Sequence, residues 1–103
     1  MKSRFGKTDL YVSRLCQGTA FRHLPRTADD PQAQRVLQHC LEKGINFFDS
    51  SNAYGWGGSE MALGKAIASK RKQVTICTKV AASHPPKAAE HGTKPAHFTR
   101  HFL

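Results

Sequence analysis

The feature that most constrains this chain is an alternation of short apolar runs with segments of helical periodicity. The apolar runs cover residues 15–19, 45–49 and 74–80, and the helix-patterned segments lie between them at 31–43 and 59–67. Alternation of this kind is typical of right-handed βαβ units with a parallel sheet. We therefore predict an α/β fold in which three parallel strands are connected by two helices.

The first helix has the clearest boundary signals. Asp29 or Asp30 can cap its N-terminus, Pro31 suits the first helical position, and Gly44 suits the C-terminal stop. Apolar residues recur at spacings of three and four between these ends. They are Ala33, Val36, Leu37, Cys40 and Leu41. This pattern predicts an amphipathic helix that buries one face.

The second helix is predicted to begin at Ser59, whose hydroxyl can cap it, with Glu60 in the first turn. Gly64 lies inside this helix, where glycine costs about 1 kcal/mol relative to alanine. We therefore expect a neighbouring element to pack closely against Gly64. The β-branched run that follows, residues 74–80, predicts the third parallel strand.

The two ends of the chain differ from this central part. Residues 4–14 contain two short apolar stretches around a Gly-Lys-Thr-Asp turn, which predicts a β-hairpin. Residues 81–103 include Pro85 and Pro86 and have no periodicity until the last few positions, which predicts a long loop and the start of another helix. Three parallel strands leave open edges and a bare face, so we expect residues 1–103 to be part of a larger domain.

The charge balance suggests nucleic-acid binding but does not support it strongly. The chain has 16 Lys and Arg against 7 Asp and Glu, a formal net charge of +9. The basic residues are spread along the sequence, and the one tight cluster, residues 70–72, lies where a helix should end. Cations are favourable there because of the helix dipole. We favour a solvated helix end over a phosphate-binding patch, and nucleic acid is not an expected partner.

Other sequence features bear on the cellular setting. No apolar run approaches the ~18–20 residues of a membrane helix, and the N-terminus lacks the apolar segment of a secretory signal. The three cysteines are Cys16, Cys40 and Cys77. An odd, sparse set argues against a disulfide framework and fits a cytoplasmic protein. Each has an apolar neighbour, so we expect three buried thiols.

Polar residues follow the predicted strands at their carboxyl ends. Thr19 follows Gly18, Asp49 ends the second strand, Lys79 lies near the end of the third, and Tyr54 lies in the loop after the second. In α/β folds this edge of the sheet is where ligands bind. A tyrosine ordinarily titrates near about pH 10, and an adjacent ammonium group lowers a tyrosine's pKa, so such a trio suits proton transfer to a carbonyl oxygen. An ion pair of Asp49 and Lys79 with a merely structural tyrosine explains the spacing equally well.

The motifs themselves resemble a known family. Residues 44–55 (GINFFDSSNAYG), the Gly-Ser-Glu of 58–60 with the Leu-Gly of 63–64, and the Thr-Lys of 78–79 are similar to the aldo-keto reductase family. The resemblance covers residues 4 to about 80. It implies a (β/α)₈ TIM barrel, preceded by the short hairpin, of which residues 1–103 would form the N-terminal third. It also implies reduction of a small-molecule carbonyl compound with NADPH, less often NADH.

The resemblance assigns roles to individual residues. Asp49, Tyr54 and Lys79 would be catalytic, and Gly18, Thr19, Ala20 and Asp49 would contact the cofactor near the nicotinamide and its ribose. The family's fourth catalytic residue, a histidine after a fourth strand, would follow residue 103, so we expect residues 1–103 alone to be inactive. An alternative is a non-enzymatic remnant, or a module that binds a cofactor or another protein.

Two smaller questions stay open in the sequence. Trp56 either lines the mouth of the pocket or packs on the second helix. His97 and His101 are four residues apart, as in helical metal sites, but without further ligands a solvated helix end is the favoured interpretation, and no metal is expected. The sequence indicates neither a particular carbonyl substrate nor an oligomeric state.

Overall fold

The computed structural model describes residues 1–80. The predicted loop and helix start at residues 81–103, including the pair His97 and His101, lie outside the described residues. Within residues 1–80 no helix is both long and apolar enough to cross a membrane.

The chain opens with an antiparallel hairpin formed by β1 (Lys2–Arg4) and β2 (Tyr11–Ser13), in which Ser3 is paired with Val12. The hairpin therefore begins slightly before the position expected from the sequence. Gly6 adopts a φ of +58° in the connecting turn, a conformation that favours glycine. Asn46 attaches the hairpin to the rest of the fold: its Oδ1 accepts a hydrogen bond from the Ser13 amide at 2.6 Å, and its Nδ2 donates to the Tyr11 carbonyl at 3.0 Å.

The central element is a parallel sheet in the order β3 (Gln17–Gly18), β4 (Phe47–Asp49) and β5 (Thr75–Cys77). Gly18 is in register with Asp49, and Asp49 with Cys77. The parallel order agrees with the prediction from the alternating pattern. The strands are shorter than the apolar runs of the sequence, and in the described part they form an open sheet rather than a closed barrel.

The first connection is α1 (Pro31–Glu42). Asp30 is the N-cap, and its Oδ1 accepts a hydrogen bond from the Ala33 amide at 2.8 Å. Gly44 follows the helix with a φ of +84°, which lets the chain turn directly into β4. The predicted boundaries of this helix are therefore confirmed.

The second connection is α2 (Gly58–Ile67), followed by a 3₁₀ helix (Ala68–Gln73). One expectation for α2 was wrong. The N-cap is Gly57, whose φ of +94° only glycine adopts easily, and Ser59 lies within the helix, fully buried. No described atom lies within 4 Å of a Cβ built at Gly64, so close packing within residues 1–80 does not explain this glycine.

Within residues 1–80 an apolar core joins the two helices to one face of the sheet. Its members are Leu37, Cys40, Phe48, Ala62, Leu63, Ala66, Ile67 and Val74. Phe48 is completely buried, and Ile76 packs against this core from the neighbouring strand. The helices therefore cover one side of the sheet, and β4 is held between β3 and β5.

The three cysteines differ in their exposure to solvent. Cys40 is buried on α1, but Cys16 and Cys77 are exposed, contrary to the expectation of three buried thiols. Cys77 is in register with Asp49, and Asp49 neighbours the helix-facing Phe48 in sequence. Because neighbouring residues of a strand point to opposite faces, Cys77 lies on the face without helices. An apolar neighbour in the sequence did not indicate burial.

Candidate active site

Asp49 and Lys79 meet at the carboxyl edge of the sheet. Asp49 is the last residue of β4, and Lys79 lies two residues beyond β5. The Lys79 Nζ donates to the Asp49 Oδ2 at 2.8 Å and to the Ser50 carbonyl oxygen at 2.7 Å. The side chains of Asp49 and Lys79 are 32% and 46% exposed, so the ion pair is open to a ligand.

Tyr54 completes the group. It lies in the tyrosine loop (residues 50–57), which connects β4 to α2 and includes a short 3₁₀ segment, Tyr54–Gly57. The Lys79 Nζ lies 4.9 Å from the centre of the Tyr54 ring. The three residues that sequence spacing predicted to converge are therefore neighbours in the structure.

The surroundings of Lys79 favour its charged form. The hydrogen bond with Asp49 raises the pKa of Lys79, the nearby Tyr54 hydroxyl acts in the same direction, and partial desolvation opposes both. Lys79 is therefore an ammonium group at neutral pH, and its positive charge lies beside the tyrosine.

The predicted cofactor contacts lie at the end of β3, beside Asp49. Thr19 is fully buried, and its amide donates to the Asp49 carbonyl oxygen at 2.9 Å. The Thr19 hydroxyl lies 2.8 Å from the Ser50 Oγ. Gly18 is exposed, Ala20 is partly exposed, and no described atom lies within 4 Å of a Cβ built at Gly18. Among residues 1–80, the end of β3 thus leaves open space next to the Asp49 carboxylate.

Two polar contacts support the site without having been predicted. The Thr78 hydroxyl donates to the Glu60 Oε1 at 2.5 Å, which ties the residue before Lys79 to the first turn of α2. The carbonyl oxygen of Ser50 accepts a hydrogen bond from the Lys79 Nζ, and the Ser50 hydroxyl accepts one from the Thr19 hydroxyl. The sequence could have indicated these contacts only through proximity along the chain, because Thr78 precedes Lys79 and Ser50 follows Asp49.

The loop after β3, which we call the arginine loop (residues 20–29), packs against the tyrosine loop. A Cβ built at Gly55 would lie 2.3 Å from the Arg26 Cβ, and one built at Gly58 would lie 1.5 Å from the Arg26 carbonyl oxygen. Trp56 adopts a φ of +53°, in the left-handed region that few non-glycine residues occupy, and is partly buried. The tight packing at Gly55 and Gly58 holds the tyrosine loop between the arginine loop and α2.

The site has the composition of an acid–base centre. No group of three His, Cys, Asp or Glu side chains within residues 1–80 is arranged to hold a metal ion. An aspartate, a lysine and a tyrosine in contact can hold and transfer a proton.

Comparison with known proteins connects this geometry to a family. A sequence profile of the aldo/keto reductase family matches residues 14–102. An uncharacterized oxidoreductase, YrpG, of Bacillus subtilis is 40% identical over 82 residues, which cover 73% of this chain and 24% of that protein. A probable voltage-gated potassium channel subunit beta of Arabidopsis thaliana is 36% identical over 78 residues, again 73% of this chain and 24% of the relative. The chain therefore spans about a quarter of the length of these relatives.

Solved structures agree with the sequence comparison. The aldo-keto reductase AKR11C1 of Bacillus halodurans, in its holo form, superimposes with a TM-score of 0.72 at 30% identity, covering 89% of this chain and 29% of that one. This structural neighbour is a (β/α)₈ barrel, and the hairpin and parallel sheet of residues 1–80 correspond to part of such a barrel. On the profile match, the shared sequence and the shared fold, the chain belongs to the aldo/keto reductase family.

Proposed function

We propose that this chain carries part of the active site of an NAD(P)H-dependent oxidoreductase that reduces aldehydes or ketones to alcohols, with NADPH the preferred cofactor. The observation that carries the proposal is the contact of one ammonium group with two partners. The Lys79 Nζ lies 2.8 Å from the Asp49 carboxylate and 4.9 Å from the centre of the Tyr54 ring.

In the proposed mechanism Tyr54 is the general acid. Its hydroxyl donates a proton to the oxygen of the substrate carbonyl as that oxygen gains negative charge. Lys79 stabilises the phenolate that remains, and Asp49 holds the lysine in position and keeps it charged. General acid catalysis of this kind contributes about 10²–10⁴ in rate. The reverse reaction, oxidation of an alcohol, uses the same residues with Tyr54 as the base.

The residues at the end of β3 suit a nicotinamide cofactor. When bound, such a cofactor supplies the hydride that reduces the carbonyl carbon. The open space over Gly18 admits a flat ring close to the backbone, and the partly exposed Asp49 carboxylate can accept a hydrogen bond from a ribose hydroxyl. Thr19 supports this surface by holding the ends of β3 and β4 together, and Ala20 borders it.

The experiment measures NADPH oxidation with a panel of aldehydes and ketones, using the protein as its source produces it. We expect Tyr54→Phe to lower carbonyl reduction by at least about 10² while the affinity for NADPH stays nearly unchanged. Tyr11→Phe is the matched control, because Tyr11 is exposed on the hairpin and should leave activity as it is. Full activity in Tyr54→Phe would remove Tyr54 from the mechanism.

The part of the relatives that this chain does not span is expected to matter for activity. Residues 1–103 correspond to about a quarter of the curated relatives, so in those proteins the rest of the barrel comes from elsewhere in the chain. We therefore propose that residues 1–103 alone are inactive and that the complete active site belongs to a whole barrel. We also propose a cytoplasmic location, on the odd and sparse set of cysteines.

A second candidate is a protein-binding role without turnover. The observation that favours it is the 36% identity to a probable potassium channel subunit beta. The two candidates differ in one measurement: cofactor binding without oxidation of NADPH by any carbonyl compound of the panel would favour the binding role. A cooperative thermal transition of residues 1–103 on their own would further support an independent module.

A further inference from the structure

We propose that Arg26 determines substrate specificity by binding an oxyanion, such as a carboxylate, on the carbonyl substrate. This inference rests on the proposed function and adds the chemical class of the substrate. It is carried by the position of Arg26 against the tyrosine loop and by the charges around that position.

Arg26 lies against the residue that follows the general acid. A Cβ built at Gly55 would lie 2.3 Å from the Arg26 Cβ and 3.3 Å from the Arg26 Cδ, so the arginine side chain runs along the backbone next to Tyr54. The backbone of Arg26 is fixed as well, because its carbonyl oxygen occupies the space where a side chain at Gly58 would be. Arg26 is exposed, so its side chain lies at the surface beside the tyrosine loop.

The acidic side chains of this region are already engaged. Asp29 is bonded to Lys65 at 2.6 Å, and Asp30 caps α1. Asp49 is bonded to Lys79, and Glu60 accepts the Thr78 hydroxyl. Arg26 forms no ion pair with any residue of the described part, 1–80. Its charge is thus available to a ligand.

The rest of the arginine loop adds positive charge and no negative charge before Asp29. Arg22 is exposed on it, and no acidic residue precedes Asp29 in the loop. A surface of one sign beside a binding site attracts ligands of the opposite charge. The guanidinium group adds specificity because its planar N–H groups can form two parallel hydrogen bonds to one carboxylate. A substrate with both a carbonyl group and an oxyanion would thus be held at two points.

The test compares two aldehydes that differ by a single carboxylate, 4-formylbenzoate and benzaldehyde. We expect Arg26→Gln to lower kcat/KM for 4-formylbenzoate by about tenfold to a hundredfold, as for loss of a hydrogen bond to a charged group. The kcat/KM for benzaldehyde should change less than about twofold, because a neutral ligand makes no such contact. Arg22→Gln, a matched change on the same loop, should leave the ratio of the two values near that of the unmodified protein.

A binding measurement separates this inference from the proposed activity. Calorimetric titration with 4-(hydroxymethyl)benzoate and with benzyl alcohol should show tighter binding of the carboxylate in the unmodified protein, loss of that preference in Arg26→Gln, and its partial recovery in Arg26→Lys. The assignment would be overturned if Arg26→Gln weakened the binding of both alcohols equally, or if the preference for the carboxylate were unchanged in Arg26→Gln. Failure of the unmodified protein to reduce benzaldehyde would count against the proposed function. The titration tests the role of Arg26 whether or not the protein reduces benzaldehyde, because it measures binding and not turnover.

Discussion

Gly58 and Gly64 lie on the same helix, α2, but alanine at these two positions should have opposite effects on stability. At Gly64 the backbone is helical, the residue is exposed, and no described atom lies within 4 Å of a Cβ placed there. Gly64→Ala should therefore raise the free energy of unfolding by about 1 kcal/mol, the difference between alanine and glycine inside a helix.

At Gly58 the methyl group of an alanine would collide with the backbone of the arginine loop. Its Cβ would lie 1.5 Å from the Arg26 carbonyl oxygen and 2.6 Å from the Arg26 carbonyl carbon, and real Cβ contacts are not shorter than 3.0 Å. The arginine loop would have to move by about 1.5 Å or more, and overpacking of this kind typically costs about 1–3 kcal/mol. Gly58→Ala should therefore destabilise the fold, and because the displaced loop packs against the tyrosine loop, it should also weaken carbonyl reduction.

The assay is urea unfolding followed by circular dichroism, with the slope of the transition compared among the variants to confirm that the same surface unfolds. The predicted difference between Gly64→Ala and Gly58→Ala is about 2–4 kcal/mol, obtained from the two values above. Destabilisation by Gly64→Ala would show that a part of the protein outside residues 1–80 packs against this glycine. Stability of Gly58→Ala equal to that of the unmodified protein would refute the close approach of the arginine loop to α2.

Two further predictions concern Asn46 and Lys79. Asn46→Ala removes the acceptor of the buried Ser13 amide and the donor to the Tyr11 carbonyl, and should lower the free energy of unfolding by about 1–3 kcal/mol. Amide hydrogen exchange in the hairpin should be faster in Asn46→Ala than in the control variant Tyr11→Phe, which changes an exposed side chain and keeps both hydrogen bonds of Asn46. The pKa of Lys79 is raised in the folded state, chiefly by Asp49, so its stabilising contribution should be complete below the ordinary lysine pKa and should fall as the pH rises through the raised value. Unfolding free energies measured from pH 8 to pH 12 should converge for the unmodified protein and Lys79→Met at the alkaline end, and a constant difference across this range would contradict the assignment.

The outcome of the sequence interpretation differed between local and non-local features. The ends of α1 were predicted because the capping aspartate, the proline at the first position and the glycine after the last turn all act through neighbouring backbone groups. The parallel order of the strands was predicted because a helix between two short strands leaves few other arrangements. The meeting of Asp49 and Lys79 followed from the same reasoning, since both follow neighbouring parallel strands.

The errors arose where a residue's environment depends on distant parts of the chain. Ser59 was expected to cap α2, but Gly57 is the cap because the tyrosine loop enters the helix through a left-handed conformation. Cys16 and Cys77 were expected to be buried, but both are exposed. Packing decides which face of a strand the helices cover, and Cys77 lies on the other face. The contact of Glu60 with Thr78 joins residues 18 positions apart and had no periodic signal.

By itself, the sequence determined the order of the elements, their parallel arrangement and the edge of the sheet where Asp49, Tyr54 and Lys79 lie, because propensities, caps and chain connectivity act over short distances. Only the tertiary structure decided that Arg26 lies against Gly55 and Gly58, beside the tyrosine. Glycine permits many conformations and specifies none, so the residue that occupies the space it leaves becomes known only when the two loops are packed together.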